Sequence, residues 1–121
     1  MLRIAFTCMA ALFLSTSIAT AADAARGEQR FKILCGTCHA VDPAQKKMAA
    51  HLKGVVGRKA ASVEGANYSP ALKASGWTWD ETKLDQYLAD PKKAMPGTFK
   101  MTGFSNAQDR ADIIAYLATL K

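Results

Sequence analysis

A chain of 121 residues, 50% of them hydrophobic, has room for one small domain. Its 16 Lys and Arg against 10 Asp and Glu give a formal net charge of +6; without a recognition motif, that basic balance argues against nucleic acid as a partner. No internal repeat, low-complexity tract or interdomain linker divides the sequence.

Residues 1–21 read as a targeting segment and are set aside before any fold reasoning. Arg3 supplies a short positive start, 4–18 is an almost uncharged apolar stretch with Phe6, Leu12, Phe13 and Leu14, and Ala19-Thr20-Ala21 gives the small-x-small pattern of a cleavage site. The expected division is a cleaved secretory signal over 1–21 and one domain over 22–121. The apolar stretch is short for a membrane span, which needs about 20 residues, and no second run follows, so no stable membrane insertion is expected. Cys8 leaves with the signal. The rest of the chain is then exported, and the expected location is the periplasm, where unliganded thiols tend to pair.

Phe31 and Leu34, with Gly27 one turn before Phe31, predict a first helix over 24–35. It leads into Cys35-Gly36-Thr37-Cys38-His39. Thiols at that spacing lie about one helical turn apart and can reach both vinyl groups of a haem from one side, so the run is a c-type haem attachment motif. His39 follows beneath the ring, placed as the proximal iron ligand. A thioredoxin-like redox pair would want a βαβ setting, which the surrounding helix and polar loop do not give. Structural zinc would need four ligands, and only His51 and Cys8 remain as further candidates.

Ser69-Pro70, a cap followed by proline at the first helical position, predicts a short helix ending near Gly76. Thr78 and Glu81 are spaced for a capping box that opens a helix through Leu84, Tyr87 and Leu88, and Pro91 stops it. Ser105 or Asn106 caps the last helix, with Asp109 and Asp112 near its positive end and Ile113, Tyr116, Leu117 and Leu120 at helical spacing. Nothing alternates long enough to argue for a sheet. The expected class is all-α, three main helices with short helical turns and loops wrapped around one covalently bound haem.

A haem held by one histidine still has its opposite face to fill. Met101, after Pro96-Gly97-Thr98-Phe99-Lys100 in a late loop, is the best-placed candidate, and Met95 in the same loop is its rival. Met48 reads as core filler. Histidine and a soft thioether together favour ferrous iron, raise the reduction potential and leave no vacant site.

Several segments stand in an ordered series: Gly27 and Phe31 before the Cys35 to His39 motif; Gly54-Val-Val-Gly57-Arg58-Lys59; Asn67-Tyr68-Ser69; Trp77-Thr78-Trp79; Tyr87-Leu88; Pro91-Lys92-Lys93; Pro96-Gly97-Thr98 with Lys100-Met101; and Arg110 through Tyr116-Leu117. In this series the chain resembles the class I cytochromes c, small soluble monohaem bacterial proteins similar to the mitochondrial one, over nearly all the mature sequence. The resemblance implies the cytochrome c fold with one haem c, covalent through Cys35 and Cys38 and ligated by His39 and Met101. It implies that Gly27 and Phe31 pack against the final helix near Tyr116, and that Tyr68 and Trp79 hydrogen-bond a buried propionate which Arg58 helps neutralise. Tyr87 and Thr98 would sit beside the iron ligands and propionate on the methionine side.

The departures from the family pattern fall near the iron. Ala49-Ala50 stands where relatives carry Gly-Pro, whose proline carbonyl accepts the proximal histidine's ring hydrogen; an alanine carbonyl can accept the same bond, but without proline's fixed φ. Phe99 is an extra residue between Thr98 and Lys100, and 101–110 is shorter than usual. Leu72 replaces a polar residue near the methionine, which makes the pocket drier.

Removing the signal, whose only charged residue is Arg3, leaves 15 basic against 10 acidic residues, or +5 before the propionates. Lys46, Lys47, Lys53, Lys59, Lys92, Lys93 and Lys100 flank the haem segments, while Asp80, Glu81, Asp85 and Asp90 concentrate acid on the intervening helix. The asymmetry gives a dipole that steers the haem edge toward acidic redox partners such as a membrane oxidase, a bc-type complex or a periplasmic dehydrogenase. The expected function is one-electron carriage by a monomer that performs no enzymatic bond chemistry. The alternative is a haem protein with a labile distal site, acting as a peroxidase-like enzyme or a small-ligand sensor.

Overall fold

The computed structural model describes residues 20–100 and 102–121. Met101 and most of the expected signal lie outside the described residues. Five helices follow in chain order: α1 (Ala24–Leu34), α2 (Pro70–Ala74), α3 (Glu81–Ala89), α4 (Pro91–Ala94) and α5 (Ala107–Ala118). Among the described residues, extended pairing is limited to an isolated antiparallel bridge between Lys59 and Thr78, so the class is all-α with α1, α3 and α5 as the main elements. No helix among the described residues is long and apolar enough to cross a membrane.

Each helix starts on a side chain that satisfies the first free backbone N–H groups. Asp23 caps α1 by accepting from Ala25 and Arg26, Ser69 caps α2 ahead of Pro70, and Asn106, rather than Ser105, caps α5 by accepting from Asp109. The start of α3 differs from the expected capping box. Asp80 is the N-cap, accepting from Lys83, because Thr78 is taken up in the bridge to Lys59. Pro91 does end α3, and with Asp90 as cap it also opens the single turn of α4.

The helices at the two ends of the domain cross at Gly27. A Cβ there would lie 1.8 Å from the Asp112 carbonyl oxygen, so only a bare backbone lets α1 and α5 approach this closely. One turn on, the Phe31 and Tyr116 rings meet at 5.6 Å between centroids. Phe31, Val55, Trp79, Leu84, Ile113, Ile114 and Leu117 form the buried core. Asp112 is buried beside it at 2% exposure and fully partnered: it accepts from Asp23 N–H at 2.8 Å, Arg26 Nε at 2.9 Å and Gln108 Nε2 at 2.9 Å. Beyond that crossing, Arg30 donates to Asp109 at 2.6 Å. The expected packing of Gly27 and Phe31 on the last helix is present. Met48, expected in the core, is 82% exposed on an irregular loop.

Candidate functional site

α1 delivers the Cys35 to His39 segment. Cys35 is the C-cap, its N–H bonded to Phe31 O, and the chain then turns on itself, with Cys38 and His39 N–H groups donating to Cys35 O at 3.1 and 2.9 Å. That turn holds two thiols and an imidazole within one compact step of chain. Both cysteines are free thiols and half-buried. Burial pushes the Cys35 thiol up, while the Lys100 ammonium pulls it the other way.

The His39 ring is oriented by a bond from Nδ1 to the Ala50 carbonyl at 2.7 Å. A carbonyl oxygen only accepts, so Nδ1 carries the hydrogen and Nε2 keeps its lone pair. Burial lowers the His39 pKa, against the raising effect of the Ala50 carbonyl, with the charges of Lys100 and Arg58 lowering it further. These effects favour the neutral ring, the form that binds metal. A thiol pair at the spacing of a haem's vinyls, with a neutral imidazole presenting Nε2, is a donor set that fits covalent haem.

Around this centre the structure brings together several of the residues implied by the resemblance. Arg58 is half-buried and donates to the His51 and Lys53 carbonyls, both at 3.0 Å, so its guanidinium stands beside the segment that orients His39. Trp79 is buried, in tilted contact with Tyr87 at 5.1 Å between centroids and edge-on to Trp77 at 5.7 Å. The Tyr87 hydroxyl and Thr98 Oγ1 share a hydrogen bond of 2.5 Å, and Thr98 Oγ1 also accepts from Lys100 N–H at 3.3 Å. Burial pushes the Tyr87 hydroxyl up despite that bond. Tyr68 accepts from Val63 N–H at 3.1 Å, which leaves its hydroxyl hydrogen free to donate elsewhere, and it lies near enough to Arg58 to act on its charge.

The late loop closes over the attachment segment. Lys100 is half-buried, near enough for Cys35 and Cys38 to act on its charge, and burial lowers its pKa. Its ammonium donates to Thr102 O at 2.7 Å and stands 4.6 Å from the Phe104 ring centre. Met95 is buried at 5% exposure, while Phe99, the extra residue, is 58% exposed.

Two features of the 47–53 segment escaped the sequence. Lys47 Nζ donates to the Gly36 carbonyl, and His51 Nδ1 is buried without a partner among the described residues. A lysine reaching back 11 positions follows no helical or strand period, so no local signal announced it.

The family model described as Cytochrome c matches residues 24–121. A cytochrome c2 of Rhodomicrobium vannielii is 51% identical over 112 residues, covering 91% of this chain and 89% of that one. A cytochrome c2 of Blastochloris viridis is 44% identical over 108 residues, covering 86% and 84%. Among solved structures, cytochrome cH from Methylobacterium extorquens superposes with a TM-score of 0.72 at 47% identity, covering 80% of this chain and 98% of that chain.

Proposed function

The chain belongs to the cytochrome c family, and on that premise we propose that it is a periplasmic one-electron carrier in which His39 and Met101 would bind the iron of one haem c. When bound, haem c supplies reversible one-electron exchange between ferric and ferrous iron. Cys35 and Cys38 would fix it covalently and His39 would bind the iron through Nε2, while the Ala50 carbonyl holds the imidazole in one tautomer. Met101 would supply the second ligand, a soft sulfur that favours the reduced state. Arg58, Tyr68 and Trp79 serve a buried propionate, whose charge needs donors and a compensating cation away from water. Tyr87 and Thr98 hold the methionine side through their mutual bond.

The single observation that carries this reading is the His39 Nδ1 to Ala50 bond, which leaves a neutral ring nitrogen free beside two unpaired thiols. Lysines around the attachment segment and the late loop would face an acidic partner, so its rate of electron exchange should fall as salt rises. The exported ferric protein tests the ligand set. A weak long-wavelength band of thioether sulfur on ferric haem, lost in Met101→Ala and kept in Met95→Ala, is the expected result. A wild type without that band would put the labile distal site first, and carbon monoxide should then bind the ferrous protein readily at neutral pH.

A further inference from the structure

The segment 47–53 carries the acceptor for His39 but has neither helix nor strand of its own. It is laced along the attachment segment instead. Lys47 Nζ donates to the Gly36 carbonyl, Ala49 N–H to Cys38 O at 3.0 Å and Leu52 N–H to Ala40 O at 2.9 Å, with the His39 to Ala50 bond between them. At the downstream end the side chain of Arg58 holds the His51 and Lys53 carbonyls. At the upstream end, among the described residues, Lys47 is the side chain that ties the segment down.

Lysines on exposed loops ordinarily keep the ammonium in water. Here it makes a charge-assisted bond to a carbonyl just past the C-terminus of α1, where the helix dipole also favours a cation. Position 50 is alanine, whose φ is not locked by a ring. The position of its carbonyl therefore depends on how firmly its neighbours are held.

We propose that Lys47 is a positioning residue for the axial histidine: its bond to the Gly36 carbonyl anchors the upstream end of the 47–53 segment and supplies the constraint that a φ-locked residue at position 50 would otherwise give, so that the Ala50 carbonyl fixes the His39 imidazole. The inference rests on His39 being the proximal ligand. The strength and direction of that Nδ1 bond set how strongly the ring donates to iron, so a loosened segment changes the ligand without touching it.

The test compares holoprotein variants by proton NMR, reading exchange of the His39 ring N–H and the hyperfine-shifted His39 ring protons of the ferric state. Lys47→Met removes the tether. Lys46→Met removes the same charge from the neighbouring exposed lysine and serves as control. Lys47→Met should speed ring N–H exchange about tenfold, the effect of losing one hydrogen bond's worth of local stability, and should move the ring shifts. Lys46→Met should change neither, and Lys47→Arg should restore both. In an Ala50→Pro background the Lys47→Met effect should shrink to less than about threefold, because the two constraints substitute for each other. Among the described residues, Ala50 N–H makes no backbone bond that this proline would remove. Should Lys47→Met yield little holoprotein, Lys47→Gln carries the same comparison. A Lys47→Met protein that matches Lys46→Met, or an effect of equal size in both backgrounds, overturns the proposal. His39 ring protons at ordinary diamagnetic positions in the wild-type ferric protein would instead remove the proximal-ligand reading itself.

Discussion

Ala61 is the one described residue other than glycine with positive φ, at 59°. The left-handed conformation costs an L-residue about 1–2 kcal/mol, and a glycine there removes that cost while adding about 0.5–1 kcal/mol of unfolded-chain entropy. Ala61→Gly should therefore stabilise the domain by about 0.5–1 kcal/mol, read as a higher denaturant midpoint with unchanged slope. A lower midpoint would mean that the alanine methyl makes contacts worth more than the strain. At this scale the sequence was informative where covalent spacing dictates geometry. Cys35, Cys38 and His39 can only lie within a step of one another, so their chemistry was legible before any fold. Met48 shows the opposite case. A methionine carries no local sign of being inside or outside, and its 82% exposure is decided by a loop path that the sequence does not spell out.

Among the elements, the α1 and α5 crossing depends on two residues that act differently. Gly27→Ala puts a methyl into the Asp112 carbonyl, a backbone group that cannot swing aside, so the helices must separate. The expected cost is about 3 kcal/mol or more by chemical denaturation, the upper end for overpacking. Asp112 is held by Arg26, Asp23 N–H and Gln108, which bring its carboxyl down from 3.8 to about 2. A depressed folded-state pKa contributes stability that is fully present above the unfolded value and is lost as pH falls through the folded one. Asp112→Asn should thus be less stable than wild type at pH 7, with the gap closing between about pH 4 and pH 2. A gap that stayed constant over that window would assign the loss to packing and not to the charge. The two helices were legible from their periodicity, and their crossing through the family resemblance, which implied Gly27 and Phe31 against the last helix near Tyr116. The cap of α3 was not, since Thr78 and Asp80 are both good caps locally and the choice is made by pairing with Lys59, 19 residues away.

At the scale of the whole molecule, the helices alone cannot account for the fold. The longest, α5 and α1, have 12 and 11 residues, and α2 and α4 have five and four. Isolated helices below about 12–15 residues are marginal in water, so each depends on what it packs against. Between α1 and α2 runs a long stretch without helix, held by backbone bonds, the lacing of 47–53 on the attachment segment and the burial of Val55. It also brings Arg58 within electrostatic reach of both His39 and Tyr68. A haem adds a large apolar body together with a metal bond, and the free energy of holding it becomes free energy of folding. Expressed without haem attachment, as Cys35→Ser with Cys38→Ser, the chain should give a far-ultraviolet helical signal below about half that of the holoprotein, without a cooperative melt. The helical signal that remains should come from α1 on α5, whose contact through Phe31, Tyr116 and Asp112 needs nothing from the haem side. A second pair of variants checks that origin: Gly27→Ala added to the haem-free chain should erase most of the residual signal, whereas Ala61→Gly added to it should leave the signal as it was. A haem-free chain that melts cooperatively with full helical content would instead mean that the seven-residue core carries the fold unaided, and that the haem is a passenger on a domain already complete.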